Sequence, residues 1–579
     1  MASHLKLLLL VAIFSSLVSE HSLSASVFLS IDCGTSETYK DENSISWIGD
    51  DTLISNGESK EIQYSSIASY PLTTLRVFKT RNKNCYNIKE VDAGQRVLVR
   101  ASFLYGNYDE KRSPPVFDLH FDGNFWTTVN TSSWDVVSHE AIYVVKGNGT
   151  SICVAQTQPG QFPFISAIEV RSLGPKMYSQ VDPNYALRSM LRAAWGANET
   201  TRYYVFRFRI SFQREIDLRI TYLTCMYYIR DSYDRIWIPA TGFLLTKVQN
   251  EAASIDVVPA ENSPPPTVLK NAVTTSGTLW GIEFDTHLPK KPTPIYVATY
   301  YSEVSVLNST DKRSFQVYID EKVVSDPIIP PFGSASEVIT TNRIASGSNK
   351  FSLRSTTDST LGPLLNAMEI YTVTDPLSNG TNAKDVEGLG LLTSGFDVLK
   401  DWGGDPCLPS PYTWDWLQCT SDPIPRVTAL NLSGYGLFGS LPDFSSMDAL
   451  ETIDLSHNSL TGQIQQFLGL FPSLTLLNLA NNGFNGTIPT SLSKNSKLKL
   501  VVTGNCFNET SCKVTEPPSK KPTVPSKKSP PMENDDDLTQ TPPSQIQNGL
   551  PTSGNTKISN KLAIILRTIF QLALLFLLS

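Results

Sequence analysis

The chain has 579 residues, of which 40% are hydrophobic and 18% charged, with a net charge of −7 at pH 7. This length predicts several domains, and the composition is typical of folded extracellular modules. The sequence has no large basic block, so nucleic acid is not an expected partner. The six histidines form no HExxH or other ligand spacing, and we expect neither a metal site nor a cofactor.

The first 25 residues are typical of a secretory signal peptide. Lys6 precedes an apolar run at residues 7–18, and small residues come after it at Ser19, Ser22 and Ala25. The run is too short for a stable membrane span. An exported chain is also indicated by eight Asn-x-Ser/Thr glycosylation sequons, at Asn130, Asn148, Asn198, Asn308, Asn379, Asn431, Asn485 and Asn508.

Residues 27–375 predict β-sandwich structure. They are rich in Val, Ile, Phe, Tyr and Thr, with turn residues about every ten positions. The segment FISAIEV at Phe164 recurs as LLNAMEI at Leu364, and FDLHFD at Phe117 recurs as FQVYID at Phe315. Two echoes in the same order and about 200 residues apart predict two tandem β domains, about 27–173 and 181–375. Chance similarity between strands is the alternative.

Residues 396–420 predict a hinge that also caps the next module of the chain. The stretch DWGGDPCLPSPYTWDWLQC, which starts at Asp401, contains three tryptophans and two cysteines, Cys407 and Cys419. In an exported chain these cysteines are expected to pair. Closing a loop of this size contributes about 3 kcal/mol.

Residues 427–512 predict a short leucine-rich-repeat solenoid. The copies VTALNLSGYGLFGSLP, LETIDLSHNSLTGQI and LTLLNLANNGFNGTIP share the pattern LxxLxLxxNxLxGxIP, and a partial fourth copy comes after them. The leucines are expected inside, and the amides of Asn458 and Asn482 are expected to satisfy backbone groups at the bend. Cys506 and Cys512 are expected to pair and cap the far end.

The remaining sequence predicts attachment to a membrane. Residues 513–554 are rich in proline and charge, as in an extended stalk. Small residues around Ser553, a polar spacer and the apolar residues 562–579 match a glycolipid-anchor (GPI) signal with Ser553 as the candidate attachment residue. A transmembrane helix is the alternative, and Arg567 fits neither interpretation well. We expect the outer face of the plasma membrane in both cases.

Four motifs together resemble one family. They are IDCG at Ile31, YGNYD at Tyr105, YDRIW at Tyr233 and WGGDPCLP at Trp402. The combination resembles the ectodomains of plant malectin-like, leucine-rich-repeat receptor-like kinases with a Gly-Asp-Pro-Cys hinge, a subgroup that includes the symbiosis receptor-like kinase. The resemblance implies a mainly β fold with tandem malectin-like sandwiches, a cleavable hinge and repeats. The sequence contains no glycine-rich phosphate loop, HRD or DFG motif after the repeats, so we expect no kinase.

One segment departs from this family. Between GANETTR at Gly196 and RDSYDRIW at Arg230, the chain carries about 27 additional residues, 203–229. Alternating Phe and Arg residues there are consistent with an added hairpin. A retained intron or gene-model error is the other interpretation. Cys225 lies in the insert, and the pairing of Cys33, Cys85, Cys153 and Cys225 stays open.

Carbohydrate binding is one recognition hypothesis, because malectin itself resembles a disaccharide-binding lectin. Sugars require aromatic faces together with carboxylates or amides, and the candidates are Trp47, Tyr105, Tyr108, Asp109 and Trp237. Such residues also serve as core or sheet-edge packing. Some plant members of the family engage secreted peptides or co-receptors instead. A secreted peptide or a receptor-like kinase is therefore the alternative partner.

We favour a non-enzymatic, receptor-like or co-receptor recognition protein at the cell surface. An extracellular glycan-processing enzyme is an alternative, since a period of two would place Asp118 and Asp122 on one strand face and glycoside hydrolysis requires two carboxylates. A structural cell-wall contact protein is the third hypothesis. On the repeats, Asn431, Asp454 and Asn478 are predicted on the concave face, where a glycan on Asn431 would exclude a peptide groove.

Overall fold

The computed structural model describes residues 26–63, 69–202, 205–209, 224–228, 231–242, 244–278 and 281–507, with the backbone alone for 205–209 and 224–228. These residues all belong to one compact unit. The predicted signal peptide, stalk and apolar tail lie outside the described residues, as do Asn508, Cys512 and Ser553. Within the described ranges, no helix has the length and apolar character that a membrane span requires.

The first half of the β region is a sandwich of mainly antiparallel sheets, in which β1 and β3 pair in parallel. One layer has the strand order β2-β3-β1-β13-β7-β10, and it faces β6-β11-β8-β9 together with a small sheet β12-β5-β4. A short 3-10 turn spans Tyr70–Leu72. The strands are β1 (Phe28–Asp32), β2 (Thr38–Lys40), β3 (Ser46–Gly49), β4 (Glu58–Glu61), β5 (Thr74–Val77), β6 (Lys83–Ile88), β7 (Arg96–Phe103), β8 (Val116–Phe121), β9 (Asn124–Asn130), β10 (Val137–Val144), β11 (Thr150–Gln156), β12 (Phe164–Ile165) and β13 (Ala167–Ser172).

The second half repeats this plan. Its main layer, β14-β27-β21-β24, faces β20-β25-β22-β23 and a small sheet β18-β19-β26. The elements are β14 (Leu187–Trp195), β15 (Val205–Arg209), β16 (Thr224–Tyr228), β17 (Ile238–Ala240), β18 (Thr246–Gln249), α1 (Pro266–Leu269), β19 (Asn271–Thr274), β20 (Ile282–Phe284), β21 (Thr293–Tyr301), β22 (Phe315–Ile319), β23 (Lys322–Val323), β24 (Ser336–Ala345), β25 (Phe351–Ser355), β26 (Leu364–Leu365) and β27 (Ala367–Val373).

The two sequence echoes fall on corresponding strands. FISAIEV forms β12 and β13, LLNAMEI forms β26 and β27, and the second pair of echoes forms β8 and β22. The halves share one continuous sheet, because β10 pairs with β14 through Ala141↔Arg188 and Ile142↔Leu187. The mainly β, tandem architecture is thus the one that the sequence predicts.

Aromatic packing fills the first core. Phe103, Phe117 and Phe164 are fully buried, and the Phe117 ring lies 5.6 Å from each of the other two in edge-to-face contacts. Such contacts add about 0.5–1.5 kcal/mol each beyond the burial of area. The core therefore rests on side chains supplied by three different strands.

The insert contributes a pair of strands to the described backbone. β15 pairs with β16 in antiparallel register, Val205 opposite Tyr228 and Arg209 opposite Thr224. This pairing is the one expected of an added hairpin. The side chain of Cys225 lies outside the described residues.

The repeats form a short parallel solenoid after the helix α2 (Ala383–Gly395). A sheet with the order β28-β29-β31-β33-β35 lines one side, and β30-β32-β34 lines the other. Short 3-10 turns span Asp397–Leu399 and Gln466–Gly469. The remaining elements are β28 (Leu417–Cys419), β29 (Val427–Asn431), β30 (Phe438–Ser440), β31 (Thr452–Asp454), β32 (Ser459–Gln463), β33 (Leu476–Asn478), β34 (Gly483–Asn485), α3 (Thr490–Ser493) and β35 (Lys499–Val501).

Inward-facing asparagines hold the bends of this solenoid. The Asn458 amide donates to the carbonyls of Leu432, Leu455 and Ser456 at 2.8–3.1 Å. Asn482 repeats the arrangement with Leu455, Leu479 and Ala480 at 2.9–3.3 Å. The predicted role of both asparagines is confirmed. Asn505, which the repeat pattern did not single out, fills the same position in the fourth turn.

Candidate functional site at the junction of the modules

The YDRIW motif lies in a buried ionic network between the two β halves. Asp234 accepts hydrogen bonds from Arg171 at 2.7 Å and Arg202 at 2.9 Å, and its carboxylate lies 3.6 Å from Arg100. Burial alone raises the pKa of Asp234, but these three guanidinium groups outweigh it and hold that pKa well below its usual range. The motif therefore fixes the geometry of the halves.

A second ion-pair chain crosses the shared sheet. Arg192 on β14 contacts Glu140 on β10 at 2.8 Å and Glu369 on β27 at 2.7 Å. All three side chains are largely or fully buried. Because an unpaired buried charge is costly, each member requires the others. The first and second β halves are thereby locked in one register.

The cysteines divide into structural pairs and one buried thiol. Cys85 on β6 pairs with Cys153 on β11, and Cys407 pairs with Cys419 as predicted. Cys506 is also disulfide-bonded. Cys33 is a free, buried thiol. The sequence had left the Cys85–Cys153 pair undetermined.

The WGGDPC stretch docks directly on the Cys85–Cys153 disulfide. Gly404 has a φ of +69°, and a Cβ there would lie 2.5 Å from the Cys85 Sγ and 2.8 Å from the Cys153 Sγ. Its amide donates to the Asn87 Oδ1 at 2.9 Å. Only glycine meets both requirements, a left-handed backbone and contact with sulfur. The predicted hinge is therefore packed against the outer sheet of the first β half.

Lys83 anchors the same stretch from below. Its ammonium donates to the carbonyls of Asp405 at 2.7 Å and Leu408 at 2.8 Å. Burial lowers the pKa of Lys83 to about 8, against the opposing effect of the Asp405 carboxylate. Nearby, the Arg81 guanidinium lies 4.2 Å from the centre of the Trp402 ring, a cation–π contact. The lysine and arginine together bind the stretch to β6 and the loop before it.

Asp405 organises the other side of the stretch. Its carboxylate accepts from the Thr381 amide at 2.8 Å and the Thr381 hydroxyl at 2.5 Å. It also accepts from the amides of Cys407 and Leu408 at 3.0 and 2.8 Å. The Asp–Pro–Cys turn and the linker from the second β half are thus held by one side chain.

Three tryptophans connect this stretch to the repeats. The rings of Trp402, Trp414 and Trp416 lie 5.5–6.2 Å apart, and Trp416 is fully buried in the core of the repeats. The Trp414 indole donates to the Gly403 carbonyl at 3.0 Å. The stretch packs against the first strand of the repeats, because β28 pairs with β29, and it joins the repeats to the first β half. Its role as the N-terminal cap stays a prediction.

A groove of about 500 Å³ opens at this junction. Its walls come from the end of β6, the β8–β9 turn, the β10–β11 turn, the linker at residues 377–381 and the Gly404–Pro406 segment, and Val386 of α2 contributes from the repeat side. Its size lies within the range of about 300–1,000 Å³ that is typical of ligand clefts. Asn148 and Asn379, two predicted glycosylation residues, are among the residues that line it.

Asp122 is the titratable group that stands out in the groove. Burial raises the pKa of Asp122 to about 6, although the Ser151 amide donates to it at 2.7 Å and the Thr150 hydroxyl at 3.0 Å. Asp118, its proposed catalytic companion, accepts from the hydroxyls of Thr128 at 2.7 Å and Tyr412 at 3.2 Å. Both carboxylates therefore accept hydrogen bonds within the fold.

The predicted sugar-contacting residues do not converge on one surface. Trp47, Tyr105 and Trp237 are buried, whereas Tyr108 and Asp109 are half-buried. Each buried ring donates to a carboxylate a few residues away in the sequence. The Trp47 indole donates to Asp41 at 3.0 Å and the Trp237 indole to Asp231 at 2.8 Å, and the Tyr105 hydroxyl donates to Asp109.

A smaller cavity lies beside Trp47. It has a volume of about 130 Å³ and includes Asp41, Arg100, Glu169 and Arg202 among its lining residues. This volume is well below that of typical ligand clefts. Carbohydrate binding at Trp47 stays a prediction, and the cavity beside it is smaller than a typical ligand cleft.

The described glycosylation sequons lie on the surface, where a glycan could be attached. The asparagine is exposed at each described sequon, namely Asn130, Asn148, Asn198, Asn308, Asn379, Asn431 and Asn485. Asn431 stands in register with Asp454, which stands in register with Asn478. The Asn478 amide donates to Asp454 at 3.2 Å. Glycosylation itself stays a prediction.

Sequence comparison assigns the modules independently. The family model "Malectin-like domain" matches residues 31–373, and "Leucine Rich Repeat" matches residues 449–471 and 473–495. The Arabidopsis thaliana uncharacterized protein At1g24485 is 35% identical over 366 residues, covering 62% of this chain and 68% of that protein. The LRR receptor-like serine/threonine-protein kinase IOS1 of the same plant is 32% identical over 460 residues, covering 77% of this chain and 48% of the kinase.

The chain spans about half the length of the receptor-like kinases that it matches. Among solved structures, the extracellular domain of Arabidopsis thaliana ANXUR1 aligns with 60% of this chain and 97% of its own, at 16% identity and a TM-score of 0.49. The predicted resemblance to receptor-like kinase ectodomains is confirmed by the sequence matches. The chain therefore belongs to the malectin-like domain family, with leucine-rich repeats following its malectin-like domain.

Proposed function

We propose that this chain is a non-enzymatic, receptor-like recognition protein at the plasma membrane that binds a protein or peptide partner at the junction groove. The groove carries the proposal, because its walls come from the first β half, the linker and the repeats together. A partner seated there contacts the first β half, the linker and the repeat side at once. Gly404 docks on the first β half, and Lys83 of that half holds the carbonyls of Asp405 and Leu408. These contacts keep the walls in place before binding, which lowers the entropic cost of association.

A receptor-like kinase is the partner class that the relatives suggest, since several of them are receptor-like kinases by name. The test uses the intact chain expressed in plant cells, with cross-linking and purification of associated proteins. Val386→Arg places a long cation at the groove, where the native side chain is 44% exposed. Leu391→Arg is the matched control, because Leu391 is 43% exposed on the same helix and lies outside the groove lining.

We expect a receptor-like kinase to be recovered with the native chain and with Leu391→Arg, and to be reduced at least tenfold with Val386→Arg. Equal recovery with both variants contradicts a role for the groove. Failure to recover any kinase or peptide with the native chain contradicts the proposed function.

Carbohydrate binding is the second candidate, favoured by the half-buried Tyr108 and Asp109, which lie next to each other in YGNYD. A glycan array probed with the native chain and with Tyr108→Ala tests it. Sugar binding that depends on Tyr108 supports the candidate, and no binding at all contradicts it. Reducing-sugar release measured in parallel separates a binder from a glycan-processing enzyme: release with turnover contradicts the non-enzymatic proposal.

A further inference from the structure

The strand β24 in the second β half has an open edge. It pairs with β21 along one side, from Thr293↔Ala345 to Tyr301↔Ser336. It is the last strand in the order of the shared sheet, and none of the other described strands pairs with its outer side. A free edge presents unpaired backbone N–H and C=O groups and is a template for an added strand.

The open part is limited to residues 336–341. A bulge interrupts the register with β21 between Thr340 and Arg343, where Asn342 has a φ of +56°. Bulges and charged residues protect sheet edges from pairing, and Arg343 is an exposed charge at that point. The sequence SEVITT before the bulge carries neither proline nor a cation. At about 3.3 Å per residue, six residues offer a pairing length of about 20 Å.

A cavity of about 500 Å³ runs beside this segment, lined by residues 336–339 on one wall and 324–329 on the other. The second wall belongs to the opposite sheet, because Ile328 and Phe315 of β22 exchange backbone hydrogen bonds at 2.7 and 3.1 Å. The cavity is therefore the gap between the edges of the two sheets. Room for an incoming chain exists where the strand edge is open.

The gap is lined by polar and acidic side chains together with exposed apolar ones. The Ser336 hydroxyl and the Glu337 Oε1 are buried and have no hydrogen-bond partner in the described parts of the chain. The second oxygen of the same carboxylate, Glu337 Oε2, accepts from the Asn262 amide at 3.2 Å. The charged residues in the lining are Asp326 and Glu337, both acidic. Burial raises the pKa of Glu337 to about 7, as expected for a carboxylate without a cation beside it. Ile329 in the lining is 62% exposed.

We propose that β24 is a docking edge for an extended segment of a partner protein that carries a lysine or arginine. The segment adds as a strand along residues 336–341, and its cationic side chain pairs with the acidic lining. Backbone hydrogen bonds give affinity in such complexes and alternate side chains give specificity. Pairing of two copies of this chain through β24 is disfavoured, because it places the acidic linings of both copies in one interface.

This surface is separate from the junction groove, and the proposal holds whether or not the groove binds a partner. The test selects a phage-displayed random nonapeptide library against the intact purified chain. We expect the enriched peptides to contain Lys or Arg at a fixed position and to lack proline beside it. Glu337→Gln is expected to weaken synthetic copies of these peptides about tenfold. Glu283→Gln, which removes an exposed carboxylate from β20 in the same half, is expected to leave binding unchanged.

Backbone N-methylation of the peptide distinguishes strand addition from a simple ionic contact. Methyl groups on one alternate set of peptide amides are expected to abolish binding, and those on the other set to change it by less than about threefold, because strand pairing has a period of two. The proposal is overturned by a library without enrichment, by binding that ignores the Glu337 substitution, or by equal effects of the two methylation sets. Self-association that Glu337→Gln changes, seen by analytical ultracentrifugation, overturns it in favour of a second copy.

Discussion

Replacing Gly404 with alanine tests whether the WGGDPC stretch is docked on the first β half. A Cβ on Gly404 would lie 2.5 Å from the Cys85 Sγ and 2.8 Å from the Cys153 Sγ, much closer than van der Waals contact. The sulfur atoms are fixed by their disulfide, so the stretch has to move away. We expect Gly404→Ala to loosen the junction and to lower stability.

The magnitude of this loss has two contributions. The left-handed backbone of Gly404, with a φ of +69°, costs an alanine about 1–2 kcal/mol. Overpacking against the disulfide adds a cost of about 1–3 kcal/mol. Gly434 provides the control, because its φ is +71° and nothing lies within 4 Å of a Cβ built there. Gly434→Ala isolates the backbone contribution, and the difference between the variants reports the contact.

Urea denaturation followed by tryptophan fluorescence is a suitable assay, since Trp402, Trp414 and Trp416 cluster at the junction. We expect Gly404→Ala to lower the free energy of unfolding by about 1–3 kcal/mol more than Gly434→Ala. Equal losses in the two variants refute the docking of Gly404 on the disulfide, since the backbone conformation alone then explains both.

Four further predictions concern the other parts of the molecule. Burial raises the pKa of the Asp122 carboxyl from 3.8 to about 6, so the folded state binds the Asp122 proton more tightly than the unfolded state does. The free energy of unfolding should therefore fall as the pH rises from about 4 to 6. Asp122→Asn should remove this pH dependence from the urea midpoints. Asp234→Asn should cost about 3–5 kcal/mol in calorimetry by unbalancing buried arginines, and no loss contradicts the network. Asn482→Ala should cost about 1–3 kcal/mol, whereas the exposed Lys494→Ala should cost almost nothing. Glycopeptide mapping should find a glycan on Asn431, and an unmodified Asn431 removes the objection to a peptide groove on the concave face.

The sequence predicted the leucine-rich repeats and the Cys407–Cys419 disulfide, because both depend on residues that lie close together along the chain. The leucine-rich repeat could be predicted from the sequence because Asn458 and Asn482 recur with the period of the solenoid. The Cys407–Cys419 disulfide could be predicted because the two cysteines lie close together in the sequence. The tandem β halves left only two faint echoes, because a sandwich strand specifies alternation and burial rather than particular side chains.

The binding residues were less predictable, for a physical reason. An aromatic ring followed by a nearby carboxylate suits a sugar, but it equally suits a buried ring whose polar atom needs an acceptor. Trp237 with Asp231 and Tyr105 with Asp109 are of the second kind. A single sequence does not distinguish the two, because the distinction depends on what covers the ring.

The junction was unpredictable because its contacts join distant parts of the chain. Lys83 and Asp405 are 322 positions apart, and the Cys85–Cys153 pair spans 68 residues. No periodicity or spacing links residues at such separations. The groove and the open edge of β24 depend equally on how sheets pack rather than on any motif.

Hydrogen–deuterium exchange at residues 401–408 of the intact chain tests the docked junction most directly. The amides of Gly404, Cys407 and Leu408 donate to Asn87, Thr381 and Asp405, so we predict that they exchange as slowly as the strand β6 beneath them. Exchange of residues 401–408 at the rate of an unstructured peptide, with β6 still protected, contradicts the docked junction and with it the groove as the recognition site.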